Sequence, residues 1–568
     1  MKHFITLFND SVRSNWNCPA VTNFGGVTYT YAQMAENIAK YHILLESAGV
    51  KKGDKVALYA RNSAEWVVAY FATLTYDAVT VPFLPDFLPS AVAELAAFSE
   101  CKIIIADDIA INGINENEAN MKMLAKTDGF AGILNVKDMS VVVSDLKALK
   151  DASASLEESF NKKYPKGFTA NDVDYKGDSR DMEAVVEISF TSGTTSATSK
   201  GVVLPARSLS VNIDFAIREI PAAVGGHIFA ILPMAHMFGQ TFDVLFPILS
   251  GCHVYVMPGK PTPARLLGGL ATVKPFMFLT VPLVIEKIFK SKVFPATRKF
   301  PAKFLLSIPG LDRIVLRKIR KSLLNAFGNS FTTGLIIGGA ALNREVEDLL
   351  KRMKFPYVVG YGMTECGPLI SYRDKSKYVK YSCGAAAHPI EVRIDSSNPR
   401  RVLGEIQAKG DAVMLGYYNN PEATAEVFDK DGFFHTGDYG KLDDEGWIYI
   451  TGRKKNLIIL SNGKNVYPEE IEADLQKVEG VTEVVVYAGQ SRVQKDRITI
   501  VAEIFPDAEL LADKGITDMQ TYFEDQVKIL NAKMPPYKAV KCVKLREVEF
   551  QKNTSRKITR FSIDKTID

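Results

Sequence analysis

Short apolar runs rich in β-branched residues alternate with longer amphipathic ones along most of this chain, and that alternation limits the fold more than any other feature. KVALYARNS (from Lys55) precedes AEWVVAYFATLTY. The pairing predicts a strand followed by a helix, repeated, and therefore layers built on parallel sheets. The same texture continues through GHIFAILPMAH, GCHVYVMPG, FMFLTVP, GLIIGGAAL with the helical pattern NREVEDLLKRM behind it, and FPYVVGYG. From EVRIDSSNPRRVLGEIQAKG onward, near residue 395, the runs shorten and turn pairs multiply (Asn398-Pro399, Asn420-Pro421, Asp431-Gly432). That change predicts a small antiparallel subdomain over 395–454. A compact α/β pattern resumes after about residue 455 and runs to the end. At 568 residues the chain exceeds what one core supports and is expected to divide into domains.

The apolar run AVVEISF empties into TSGTTSATSKG, residues Thr191 to Gly201. A strand that ends in Gly, Ser, Thr and one Lys offers amides, hydroxyls and a cation with little apolar surface, as a polyphosphate requires, although flexible polar loops share this composition. It is not a Walker loop. Six residues separate Gly193 from Lys200, Ser199 precedes that lysine, and Gly201 takes the place of the magnesium-binding hydroxyl.

The charge balance, 69 basic against 65 acidic residues, implies no nucleic-acid partner. Cys18, Cys101, Cys252, Cys366, Cys383 and Cys542 are scattered without a CxxC, which suits free thiols in a reducing compartment. The start MKHFITLFND lacks a signal-peptide core, and no run approaches the ~20 apolar residues of a membrane span, so a cytoplasmic location is expected.

Further blocks follow the first: GGAALN from Gly338, YGMTECGP from Tyr361, HTGDYG from His435, TGRKKN from Thr451, SNGKNVYPEEIE from Ser461 and NTSRKITR from Asn553. In this order and over essentially the whole chain they resemble the adenylate-forming superfamily of acyl-CoA synthetases, luciferases and peptide-synthetase adenylation domains. The resemblance implies an α/β fold with a large N-terminal domain of layered sheets and helices, 1–454, and a small mobile α+β C-terminal domain, 455–568. It implies an acid-thiol ligase that uses ATP, Mg2+ and coenzyme A.

The resemblance also implies roles. Thr191, Ser192, Gly193, Thr194, Thr195 and Lys200 would cradle the β- and γ-phosphates; Thr364 would bond the α-phosphate and Glu365 would ligate magnesium. Tyr361 would lie against the adenine, with Gly339, Ala340 and Ala341 across the slot. Asp438 would accept the ribose hydroxyls and Arg453 would donate to the same sugar, unless Tyr361 is plain core and Asp438 a turn former. His236, in LPMAHMFG, would line the acyl and thioester site, or be a buried histidine satisfied by backbone. Lys557 would serve adenylation. Lys455 would be the hinge, and Gly463, Lys464 and Asn465 the face presented for the CoA step.

Two departures bear on function. Ser196, Ala197, Thr198 and Ser199 stand where relatives carry Gly and Pro, which alters backbone freedom without removing donors and leaves a catalytically degenerate relative as the non-enzyme alternative. An adenylation domain that loads a carrier protein would hold its amino acid through an Asp in FDxS; Phe242-Asp243 lies only eight positions before Gly251, too close for that element. A fatty acid is the expected substrate, from the likeness of SNGKNVYPEEIE and NTSRKITR to long-chain ligases. Between Lys287 and Lys321 stand eleven basic residues and one acid, Asp312. DRIVLRKIRKSLL places Val315, Leu316, Ile319 and Leu323 on one helix face and Arg317, Lys318, Arg320 and Lys321 largely on another. Such a face is either solvated or a peripheral contact with anionic membrane or CoA phosphates.

Overall fold

A computed structural model describes residues 1–191, 199–259, 262–460, 464–490, 498–552 and 558–567. The alternating runs become strands and helices at the positions their spacing predicts. Lys55–Tyr59 is a strand and Ala64–Thr75 a helix whose first turn is capped by Ser63, its side chain accepting from Trp66 N at 3.0 Å. Trp66, Tyr70 and Phe71 on that helix are fully buried.

Two large sheets carry the site. In the first, Val185–Phe190, Val79–Pro82, Lys55–Tyr59, Cys101–Ala106 and Gly132–Asn135 lie parallel in that order, with Gly201–Pro205 and then Gly416–Tyr417 added antiparallel at one edge. In the second, Tyr357–Val359, Gly334–Ile337, Met277–Thr280, His227–Ala230, His253–Val256 and Pro19–Asn23 are parallel neighbours. Strands buried on both faces must be apolar throughout, which is why these runs do not alternate. The turn-rich region folds into a four-stranded antiparallel sheet of Glu391–Asp395, Gly404–Lys409, Phe434–Leu442 and Ile448–Arg453. Beyond it, Val481–Gln490, Ile498–Pro506 and Cys542–Leu545 form a separate sheet covered by the helices Pro468–Leu475 and Met519–Asn531. That unit has its own core, including Ile471, Val486, Ile504 and Phe523. Among the described residues no helix is long and apolar enough to cross a membrane.

One buried polar group joins the two large sheets. Glu187, in the middle of Val185–Phe190, has no exposed surface; it accepts from Tyr70 Oη at 2.9 Å and from Gln240 Nε2. Burial pushes its carboxyl up to about 7, against the pull of those two donors. The folded state therefore holds the proton better than the unfolded chain. This contribution is fully present below the ordinary value of 4.5 and is lost as pH rises through about 7. Glu187→Gln, which keeps the shape and cannot ionise, is expected to gain on the wild type by on the order of 3 kcal/mol between pH 4.5 and 8. Denaturant midpoints at both pH values check this; parallel shifts of the two proteins would show that Glu187 does not bury a proton.

Candidate active site

The strands Gly334–Ile337 and Tyr357–Val359 are parallel neighbours, so their C-terminal ends emerge side by side. Each then breaks into glycine. Gly338 N donates to Thr280 O at 3.1 Å and Gly360 N to Ile337 O at 2.9 Å, which closes the strand ends into one floor. Gly339 has φ +86°, a left-handed backbone that other residues adopt only under strain. Gly339, Ala340 and Ala341 are exposed and small, as one wall of a slot for a flat base requires.

Tyr361 leaves the second strand end with its ring buried, and its Oη donates to Asp438 Oδ2 at 2.8 Å. Asp438 comes from the antiparallel sheet, where it stands directly opposite Arg453. Arg453 Nε reaches Asp438 Oδ1 at 2.7 Å while its side chain stays 40% exposed, so the guanidinium keeps donors free for a ligand. Three residues that the sequence assigns to one nucleotide are thus one hydrogen-bonded chain.

Thr364–Cys366 is a single tight turn, tied to the next segment by Met414 N donating to Glu365 O at 2.9 Å. The Glu365 carboxylate accepts from Tyr417 Oη at 3.1 Å. Burial holds its carboxyl above the usual range, with Tyr417 and the charge of Arg453 pulling it back. Tyr417 also receives Lys200, whose Nζ lies 4.6 Å from the ring centroid. Lys200 is held by its pairing with Thr191: Thr191 N donates to Lys200 O at 3.0 Å. So Tyr417 links the proposed magnesium ligand to the proposed phosphate lysine. Ser192, Gly193, Thr194 and Thr195 lie outside the described residues, as do Gly463 and Lys557. Sequence reasoning missed Tyr417; the signal was Gly416-Tyr417-Tyr418 before Asn420-Pro421, a strand that ends beside Lys200.

His236 follows the strand His227–Ala230 and caps the short turn Met237–Gly239, its Nδ1 accepting from Phe238 N at 3.4 Å. A Cβ on Gly338 would stand 3.0 Å from the Phe238 ring, tighter than an ordinary contact, so this glycine lets the His236 segment pack closely on the strand ends. Asp243 faces inward, 1% exposed, and neither of its oxygens has a partner among the described residues. Burial raises its carboxyl well above the usual range, which suits a neutral acid rather than a partner for a substrate amine.

The sequence between the two cores is short. Lys454–Asn456 forms one tight turn, Lys454 pairs with Glu405 at 2.8 Å, and burial together with Arg453 lowers the pKa of Lys455. On the far side, Asn456 Nδ2 donates to Glu469 Oε1 at 2.6 Å, and a Cβ on Gly452 would meet Glu469 Oε2 at 2.5 Å. The helix beginning at Pro468 therefore rests on the strand that carries Arg453. Lys464 and Asn465 are exposed, with Lys464 Nζ 4.7 Å from the Tyr537 ring centroid; Tyr467, just beyond them, has its ring 5.8 Å from that of Tyr439, the neighbour of Asp438.

No three His, Cys, Asp or Glu side chains gather into a metal cage among the described residues. Magnesium needs none when phosphates supply most of its oxygens, and the Glu365 carboxylate, whose partner among the described residues is the Tyr417 hydroxyl rather than a cation, fits such a role.

The chain is similar to known proteins over nearly its whole length. It is 27% identical over 550 residues to 4-coumarate–CoA ligase 4 of Arabidopsis thaliana, covering 94% of this chain and 85% of the relative. It is 27% identical over 508 residues to long-chain-fatty-acid–CoA ligase FadD15 of Mycobacterium tuberculosis, covering 84% and 78%. Among solved structures, ATP-bound MatB from Rhodopseudomonas palustris superposes with a TM-score of 0.78 at 22% identity, covering 99% of this chain and 98% of that one. A Mycobacterium tuberculosis fatty acyl CoA synthetase gives a TM-score of 0.66 at 22% identity over the same shares. Residues 8–418 match the profile of the AMP-binding enzymes, and the chain belongs to that family.

Proposed function

We propose that this chain is an AMP-forming acyl-CoA synthetase, with a fatty acid of medium or long chain as the acid. The observation that carries this reading is the convergence of two chains of contacts at neighbouring strand ends, Tyr361–Asp438–Arg453 and Glu365–Tyr417–Lys200. A carboxylate is a poor acyl donor because its charge repels nucleophiles and oxide leaves badly. Its attack on the α-phosphorus of ATP expels pyrophosphate and gives an acyl-adenylate; the CoA thiolate then attacks the acyl carbon and expels AMP.

On this reading Tyr361, with Gly339, Ala340 and Ala341, sandwiches the adenine, and Asp438 with Arg453 holds the ribose. Thr191 to Thr195 and Lys200 bind the departing pyrophosphate, Thr364 bonds the α-phosphate, and Lys557 bridges the carboxylate and phosphate oxygens. Bound magnesium would supply charge neutralisation as the phosphate bond breaks, held on this chain by Glu365. His236 lines the acyl and thioester site. The large domain ends at Lys454, the hinge is Lys455, and Gly463, Lys464 and Asn465 face the site for the thioester step. A cytoplasmic enzyme with a peripheral membrane contact fits the basic segment. There Phe300 is 84% and Ile314 64% exposed beside Lys299, Lys303, Arg313 and Arg317.

Pyrophosphate release measured over acids of graded length, with and without CoA, tests the reading. A maximum among medium or long alkyl acids, with thioester formed only when CoA is added, is expected. A maximum among short or aryl acids would overturn the fatty-acid assignment, and adenylate that only a carrier protein discharges would favour the carrier-loading alternative. Sedimentation with anionic vesicles, and its loss as salt rises, checks the membrane contact.

A further inference from the structure

The second sheet has another end. Tyr357–Val359 enters it from Phe355-Pro356, roughly 10 Å of strand away from the glycine turns of the nucleotide slot. At this entry lies a cavity of about 400 Å3, within the range of small-molecule sites. Four cations line it: Arg320 from the helix Asp312–Ala326, Lys351 from the helix Arg344–Arg352, Lys354 from the turn after it, and Lys375 from the loop beyond Leu369–Tyr372. Phe331 and Phe355 add apolar ring surface.

The charges around the cavity are not balanced. Cations nearby on the surface are paired: Arg352 with Asp312 at 3.5 Å, Lys380 with Asp348 at 2.7 Å and Arg298 with Glu345 at 3.0 Å. None of the four cavity cations forms an ion pair with a carboxylate among the described residues. The acids close by are engaged elsewhere. Glu347 accepts from Tyr378 Oη at 2.9 Å and Tyr381 N at 2.8 Å, and Asp374 accepts from Ser376 N at 2.9 Å. Lys351 donates to Tyr378 O at 2.7 Å and Lys375 to Thr332 O, which leaves further donors on each ammonium. Arg320 Nε is shielded from solvent and has no acceptor among the described residues. Such a shielded donor is costly by itself, and it faces a cavity lined also by three lysines without a carboxylate partner among the described residues, so an anion seated there would satisfy it.

We propose that this cavity binds a phosphate monoester that carries a flat ring. The phosphate lies among Arg320, Lys351, Lys354 and Lys375, where charge-assisted hydrogen bonds replace its hydration. The ring lies against Phe331 and Phe355, with the guanidinium edge beside it. The site is separate from the nucleotide slot, because the two open at opposite ends of the same strands, and it stands or falls independently of the ligase reading.

Calorimetry with phenyl phosphate, inorganic phosphate and phenol as probes tests this on the full chain, with Arg320→Gln and Lys354→Gln as variants. Lys354 is exposed, so its variant keeps the fold if the arginine variant does not. Phenyl phosphate is expected to bind the wild type more tightly than inorganic phosphate, phenol is expected to give no heat, and each variant should weaken phenyl phosphate by about 10-fold. Lys354→Gln should keep the wild-type KM for ATP. Equal binding to both variants and the wild type would place the phosphate in the nucleotide slot and overturn the proposal. So would phenyl phosphate binding no tighter than inorganic phosphate, or these residues binding only phosphatidylserine vesicles.

Discussion

Glu365→Ala is expected to slow acyl-adenylate formation by about 100- to 1,000-fold, the range found when one electrostatic partner of a developing charge is removed. The carboxylate is the hard oxygen donor that this strand end offers to a cation. Its position is held from two sides, by the backbone link from Met414 N and by the Tyr417 hydroxyl. On the proposed reading, removing it leaves the growing pyrophosphate charge opposed by Lys200, Lys557 and the phosphate-loop residues, without a protein ligand for the metal. Tyr417→Phe keeps the carboxylate and the ring beneath Lys200 and deletes only the orienting hydroxyl, so its loss should be much smaller, about 10-fold. Pyrophosphate release under saturating ATP, with the melting temperature as a check on folding, separates the two variants. Near-normal release by Glu365→Ala would remove this residue from the reaction and with it the proposed metal position.

What could be read before folding, and what could not, follows from the range of each interaction. Strands such as Lys55–Tyr59 and Gly334–Ile337 are legible because burial on both faces demands an apolar run that glycine or proline punctuates. Tyr361, Asp438 and Arg453 are legible as members of motifs, yet the bond from Tyr361 to Asp438 spans 77 residues and no spacing rule reveals it. Of the alternatives posed for Tyr361, the structure shows the buried ring of a core residue, and that ring carries a hydroxyl that orients Asp438, the proposed ribose acceptor. Tyr417 and the cavity of Arg320 were hidden for a related reason. Each depends on side chains brought together by strand order, as when Gly416–Tyr417 adds to Gly201–Pro205 at the sheet edge. The basic helix Asp312–Ala326 shows both sides of this. Its sequence predicts the apolar stripe, and Leu316 and Leu323 are buried as expected. Arg320 departs from the solvated face: it is half-buried, its Nε is shielded from solvent, and it lines a cavity together with Phe331 and Phe355.

The second large effect lies in the coupling between domains. Lys557→Ala is expected to abolish acyl-adenylate formation, by a factor comparable to that of Glu365→Ala. It should leave the conversion of supplied acyl-adenylate and CoA to thioester near the wild-type rate. Lys557 lies outside the described residues, so the expectation rests on its motif and on the segment that would deliver it. A lysine ammonium is a compact charge on a flexible stem, suited to two oxygens that share developing negative charge during adenylation only. On this proposal, delivery and withdrawal need the small domain to turn, exchanging its contacts at the junction. Among the described residues these contacts include Asn456 with Glu469, the close approach of Glu469 to Gly452, and the Tyr467 ring near Tyr439. Lys455 sits in the middle of that junction, and rotation there would bring Lys464 and Asn465 to the site in place of Lys557. Lys455→Pro restrains φ to about −65° and should therefore show the opposite bias, with pyrophosphate release retained and thioester formation lost. Measuring the two half-reactions separately on both variants decides the matter. If Lys557→Ala damages both steps equally, the lysine is structural; if it damages neither, it is an ordinary surface cation. If Lys455→Pro slows both steps alike, the two reactions do not need different placements of the small domain.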